Sequence, residues 1–186
     1  MIIIKMINNN LAVQQLDEDT KELWSEQLQS ALNKHIEVEL SNFATYEEMS
    51  NWFANVKRGF QGMSKFLRKE ANEELSHARQ FMAYQNKRGG SVDKVLAVAA
   101  DISNLERSDN CILECYKIML DLEKSTYISL LELHDTAVQD PAFQDMIEEY
   151  LQEQLDTQDK LNSTINTLQF GGKVVCALHE QKLNAT

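Results

Sequence analysis

Glu74 and His77, in the run Glu74-Leu75-Ser76-His77, are the residues whose types and spacing first suggest chemistry. At 3.6 residues per turn this spacing sets a carboxylate and an imidazole on one helical face as adjacent metal ligands. Alone the pattern is weak, because Glu and His three apart arise by chance in many helices. Its weight comes from its surroundings: the apolar residues Leu67 and Phe81 bracket it. Three other stretches repeat the arrangement, with Glu39 between Ile36 and Phe43, Glu123 between Met119 and Leu130, and Gln154 between Tyr150 and Leu161. A single inward Glu is usually structural, its long side chain reaching solvent from a boundary position. Three carboxylates from three helices, unpaired in a low-dielectric core, would cost several kcal/mol per ion, and no Lys or Arg interrupts the same layer. A bound cation removes the conflict. Oxygen ligands with one imidazole and no thiolate suit iron or manganese, and the set also admits zinc.

Four long elements must position these groups. Residues 20–53 carry Leu28, Leu32, Ile36, Phe43 and Tyr46 at helical steps, and residues 61–87 carry Met63, Leu67, Phe81 and Tyr84. Residues 109–138 follow with Ile112, Tyr116, Met119, Leu130 and Leu133, and residues 141–168 with Phe143, Ile147, Tyr150, Leu161, Ile165 and Leu168. The stretches run from 27 to 34 residues, or about 40–50 Å of helix. The sequence predicts an all-α four-helix bundle. Short turns near Asn55 and Pro141 make each consecutive pair antiparallel neighbours, whereas the stretch from Gly89 to Ser108 is long enough to cross the length of the bundle. A connection of that length should pack on the bundle or on another subunit. After Gly171-Gly172, residues 173–183 allow one short fifth helix, in which Cys176 and His179 read as packing or rim residues. Residues 1–19 form an N-terminal arm without an assignable role, ahead of a single domain at 20–186. A symmetric di-iron bundle takes Glu-x-x-His from two helices and one Glu from each of the other two. Here the last helix offers Glu153-Gln154 and Leu155-Asp156 with no second His, so one metal position is held firmly and the other loosely.

Composition narrows the class. The 186 residues are 43% hydrophobic, with a net charge of −11, six Gly and one Pro. So few turn residues argue against an all-β fold, and the acidic balance argues against a nucleic-acid partner. No apolar run is long enough for a membrane span, and the opening Met1-Ile2-Ile3-Ile4 is too short for a secretory leader, so the expected address is cytoplasmic. Cys111, Cys115 and Cys176 suit reduced thiols, and a metal pair at Cys111 and Cys115 lacks further ligands nearby.

Six stretches carry a resemblance to a known family: Ile36-Glu37-Val38-Glu39-Leu40, Glu73-Glu74-Leu75-Ser76-His77-Ala78, Gln85-Asn86-Lys87-Arg88-Gly89-Gly90, Leu122-Glu123-Lys124, Ser129-Leu130-Leu131-Glu132-Leu133-His134 and Tyr150-Leu151-Gln152-Glu153-Gln154. From Glu26 to Leu168 the chain resembles a ferritin of the catalytic, heavy-chain type. The resemblance implies a ferritin-like bundle and a ferroxidase centre. Glu39, Glu74 and His77 would hold the first iron, Glu74 bridging to a second held by Glu123, with Gln154 and Tyr46 beside it. The substrates would be Fe(II) and O₂ or peroxide. Ferric mineral would be stored in a cage of about two dozen subunits, of this chain alone or mixed. Iron would enter through three-fold pores near the start of the fourth helix. Counting from Pro141 gives Asp145 and Glu148 as the pore residues, while counting back from Gln154 gives Gln144 and Ile147. The carboxylates are preferred, because a turn absorbs a deletion more easily than a helix. Among the acids that aid mineral formation the chain keeps Glu73 and Glu70 but has Ser76 and Arg79 nearby, so core formation is expected to be slower than oxidation. A passive cage subunit and a metal-free bundle that docks a partner are the competing readings. The first would lack the inward Glu–His set, and the second would leave three carboxylates uncompensated.

Overall fold

The structure, a computed structural model, describes residues 24–185, and the arm expected at residues 1–19 lies outside them. Five helices follow one another: α1 Glu26–Ala54, α2 Gln61–Lys87, the single turn α3 Asn104–Arg107, α4 Cys111–Thr136 and α5 Pro141–Ala185. Among the described residues there is no strand, and no helix is long and apolar enough to cross a membrane. The expected four-helix bundle is present.

Local chemistry sets the ends. Ser25 caps α1 by accepting the Leu28 N–H at 3.1 Å, so the helix begins at Glu26 and not near residue 20. Asn110 caps α4 in the same way, and Asp140 accepts the Phe143 N–H while Pro141 takes the first helical position of α5. Arg88, at the end of α2, is ion-paired with Asp140 and so ties that helix to the α4–α5 turn.

The long connection lies along α1 in an extended path. Ser91 and Asp93 meet Asn33, the Val98 N–H donates to Ser41 Oγ at 3.1 Å, the Ala100 N–H donates to Thr45 Oγ1 at 2.9 Å, and Glu106 pairs with Arg58 beyond the end of the helix. The strap therefore returns the chain to the end at which α2 began. As a result α4 runs antiparallel to α1, and α5 antiparallel to both α4 and α2.

Gly172 interrupts α5 at φ 58°, ψ −153°, a backbone open in practice only to glycine, and the residues after it form the expected short fifth helix. This terminal segment is docked on the base of the bundle. Glu180 accepts the backbone N–H groups of Gly62 and Met63 at 2.6 and 2.7 Å, satisfying donors that the start of α2 leaves free. Gly62 is required for this approach, because a Cβ there would lie 2.5 Å from the Glu180 carbonyl oxygen. His179 lies 2.7 Å from the Tyr116 hydroxyl and Cys176 is buried, which gives both residues a packing role.

The core is divided. One apolar cluster, with Tyr46, Phe53, Leu67, Met119 and Leu161, fills the end where α1 meets α2. A second, with Leu32, Ile36, Phe81, Leu130 and Ile147, fills the opposite end. Between them every long helix contributes a buried polar residue.

Candidate metal centre

The polar layer is built from register. On α1, Ile36 belongs to one cluster and Tyr46 to the other, and Glu39 and Asn42 face inward between them. On α2 the same gap, between Ala71 and Phe81, holds Glu74 and His77. On α4, between Leu120 and Leu130, it holds Glu123 and Thr126, and on α5, between Ile147 and Leu161, Gln154. Glu39, Glu74, Glu123 and Gln154 are each at most 5% exposed.

Glu39, Glu74 and His77 converge, each offering a ligand atom within 4.8 Å of the others. His77 Nδ1 faces Glu39 Oε2 at 3.8 Å, and its Nε2 faces Glu153 Oε1 at 3.8 Å toward the α2–α5 surface. Glu123 approaches from the other hairpin, its Oε1 accepting the Tyr46 hydroxyl at 2.6 Å, with Gln154 as a second hydrogen-bond partner. Asn42 donates to Thr126 Oγ1 at 2.8 Å and reaches Glu74 Oε2 at 3.4 Å.

Sequence reasoning missed two groups here. Asn42 is one. The other is His35, fully buried four residues before Glu39, with Nε2 3.0 Å from Glu39 Oε1. The layer thus contains a second imidazole, buried beside its carboxylates, although no Lys or Arg. The signal was a His-x-x-x-Glu step, which also places both side chains on one helical face.

The electrostatics follow from this packing. Burial raises the Glu74 carboxyl well above the ordinary range, and the neighbouring Glu39 and Glu123 charges add to it. Burial also raises Glu123, against the Tyr46 and Gln154 hydrogen bonds. Glu39 is the exception: burial acts upward, but the His35 ring 3.0 Å away, with help from Glu74 and His77, holds it below the usual value. Within the layer a proton is therefore held more readily by Glu74 than by Glu39. Two buried oxygens, Glu39 Oε2 and Gln154 Oε1, have no hydrogen-bond partner. Such orphaned acceptors fit a cation, which would replace the Glu74 proton and satisfy them.

The remaining expected site residues lie elsewhere. Glu73 is exposed and paired with Lys69 at 2.7 Å. With Glu70 it lines a cavity of about 680 Å³ between α2 and α5, into which Glu153 and Asp156 also project. Burial, with the charge of Glu73 beside it, pushes Glu70 up to about 7. Asp145 and Glu148 are exposed near the start of α5, where Glu148 meets His134 at 3.4 Å. Ile147 is fully buried in the core and Gln144 is only partly exposed, so register at this end sets the two carboxylates outward.

Comparison with known proteins agrees with this arrangement. The model of the Ferritin-like domain family matches residues 29–170. The chain is 32% identical over 158 residues to Ferritin-1, chloroplastic, of Brassica napus, covering 82% of this chain and 61% of that protein. Soma ferritin of Lymnaea stagnalis is 34% identical over 75% of this chain and 80% of its own length, and the ferritin middle subunit of Aquarana catesbeiana 35% identical over 75% and 79%. The chain thus spans about three fifths of the plant relative. Among solved structures, ferritin from the green alga Ulva pertusa superposes with a TM-score of 0.79 at 28% identity, over 88% of this chain and 86% of that one. With the bundle, the strap along α1 and the inward Glu–Glu–His group all in place, the chain belongs to the ferritin family.

Proposed function

We propose that this chain is an iron-storage subunit that oxidises Fe(II) with O₂ at a di-iron ferroxidase centre. The observation that carries this reading is the buried, convergent group of Glu39, Glu74 and His77 with Glu123 facing it from the second hairpin. Glu39, Glu74 and His77 would hold the first iron. Glu74 lies between Glu39 and Glu123 in the electrostatics of the layer and is suited to bridge to the second iron, which Glu123 would hold with Gln154 alongside. Two Fe(II) ions held near one another can each give an electron to O₂ bound at the same place. The protein contributes the rest. Glu74 releases its proton as the cation binds, Tyr46 fixes the Glu123 oxygen, and the flanking apolar clusters keep bulk water from the layer. One imidazole serves one side only, so the second ion is held more weakly and is the one suited to leave. His77 and Glu153 open toward the α2–α5 face, where Glu70, Glu73 and Asp156 can receive a departing cation.

In the same reading, copies of the chain, alone or mixed with other ferritin subunits, form a hollow cage of about two dozen subunits with mineral inside, and Asp145 and Glu148 line the route by which iron enters. Their exposure and acidity support that role. Reduced thiols and a soluble bundle fit the cytoplasm. The plant relatives named chloroplastic favour a plastid as the second address, to be decided by what residues 1–19 do in the cell.

Anaerobic addition of Fe(II) to the metal-free protein, followed by air, tests the activity. Ferric absorbance should rise quickly in the wild type and far more slowly in Glu74→Ala and His77→Ala. If all three oxidise iron no faster than buffer, the chain is a passive cage subunit and the catalytic reading is wrong.

A further inference from the structure

Glu39 presents its two oxygens to different surroundings. Oε2 faces His77 and has no hydrogen-bond partner, whereas Oε1 lies 3.0 Å from Nε2 of His35. The His35 ring is fixed on its other sides. Its Nδ1 is 2.9 Å from Ser129 Oγ on α4, and its plane meets the Phe81 ring edge-on, with centroids 4.7 Å apart. Nε2 has no hydrogen-bond partner, and the Glu39 oxygen at 3.0 Å is the acceptor set against it. The Ser129 hydroxyl can donate to Nδ1, which leaves the proton on Nε2, toward Glu39. The opposite tautomer would set a bare lone pair against a carboxylate oxygen.

We propose that His35 is a positioning residue that ties up one oxygen of Glu39 and limits this carboxylate to one-oxygen coordination of the first iron, an inference that rests on the metal-centre reading above. A carboxylate free on both oxygens can clasp a cation through both and fill two coordination positions. With His35 Nε2 set 3.0 Å from Oε1, a short swing of the ring engages that oxygen as the cation draws on Oε2, so only Oε2 is offered and one position at the first ion stays open for O₂ or solvent. Residues behind a ligand typically change metal affinity by about 10–100-fold when removed. Asn42, anchored on Thr126 and reaching Glu74, gives the neighbouring ligand a similar brace from α4.

Co(II) is a redox-inert probe under anaerobic conditions, and its visible bands weaken as coordination number rises. The full chain is titrated with Co(II) as wild type, His35→Leu and His35→Gln, with the melting temperature of each metal-free protein recorded. His35→Leu should lower first-ion affinity about tenfold or more and weaken the bands per bound ion. His35→Gln, which keeps an N–H donor, should recover most of both. If His35→Leu matches wild type in affinity and band intensity, or if Leu and Gln lose them equally, the ring acts by packing alone and the proposal fails. Should His35→Leu not fold, Ser129→Ala retains the ring without its anchor, and wild-type affinity and bands in that variant would overturn the proposal as well. A wild type that binds no Co(II) sinks the metal-centre reading itself, a result distinct from failure of the His35 role.

Discussion

Replacing Glu74 with Gln should make the metal-free protein more stable and its response to metal weaker. Glu39 and Glu74 offer oxygens within 4.8 Å of one another in a buried layer. Two charges at that distance repel by about 3 kcal/mol at an effective dielectric constant of about 20. The folded chain avoids the repulsion by keeping the Glu74 proton, so its carboxyl titrates well above its ordinary value of 4.5. A raised acid means that the folded state binds more protons than the unfolded one. Stability is therefore full below pH ~4.5 and falls as pH rises through the raised value. Glutamine does not titrate and still offers Asn42 an acceptor. At pH 8 without metal, Glu74→Gln should exceed wild type by about 2–3 kcal/mol, or about 5–10 °C in melting temperature, with the gap closing toward pH 4. Zn(II) at about 100 times its dissociation constant should then add about 2.7 kcal/mol to wild type and much less to the variant, closing most of the gap between them. Calorimetric melts at pH 4 and 8, with chelator or Zn(II), read both effects. A variant that melts at or below wild type at pH 8 in chelator would refute the reasoning, because burial of the acid would then carry no cost.

Two further outcomes follow from other parts of the chain. Glu180→Ala removes the acceptor for two N–H groups at the start of α2 and should cost about 1–2 kcal/mol, freeing residues 173–185 to protease while circular dichroism of the bundle is kept; Gly62→Ala should do the same by crowding. Asp145→Asn with Glu148→Gln should slow iron uptake into the assembled protein several-fold at low ionic strength, with the difference shrinking in salt, as steering by charge requires; uptake insensitive to both would remove these residues from the route.

The sequence displays whatever repeats. Stripes such as Leu32, Ile36, Tyr46 and Phe53 give four helices, and the polar residue inside each stripe gives the layer between the two clusters. Isolated contacts leave no such trace. The strap is held by backbone N–H groups donating to Ser41 and Thr45, side chains that read as ordinary surface positions of α1. Glu180 looks like one more exposed acid until Gly62 and Met63 are brought beneath it by the reversal at Gly172. His35 and Asn42 sit beside ligands recognisable by spacing, but the partners that anchor them, Ser129 and Thr126, lie 94 and 84 residues away. Distance along the chain hides them. The two counts at the start of α5 differ in register, and the structure buries Ile147 in the core while Asp145 and Glu148 face outward.

The strap along α1 divides the molecule into two hairpins, and the buried polar layer is divided with it. Glu39, Glu74 and His77 all belong to α1 and α2, whereas Glu123 and Gln154 belong to α4 and α5. Thermal breathing that parts the hairpins by a fraction of an ångström would stretch the coordination of one ion and leave the other untouched. On the proposed function, an unequal grip on two irons would then be a property of topology as much as of ligand count, with the seam between hairpins as the place where the weaker one loosens.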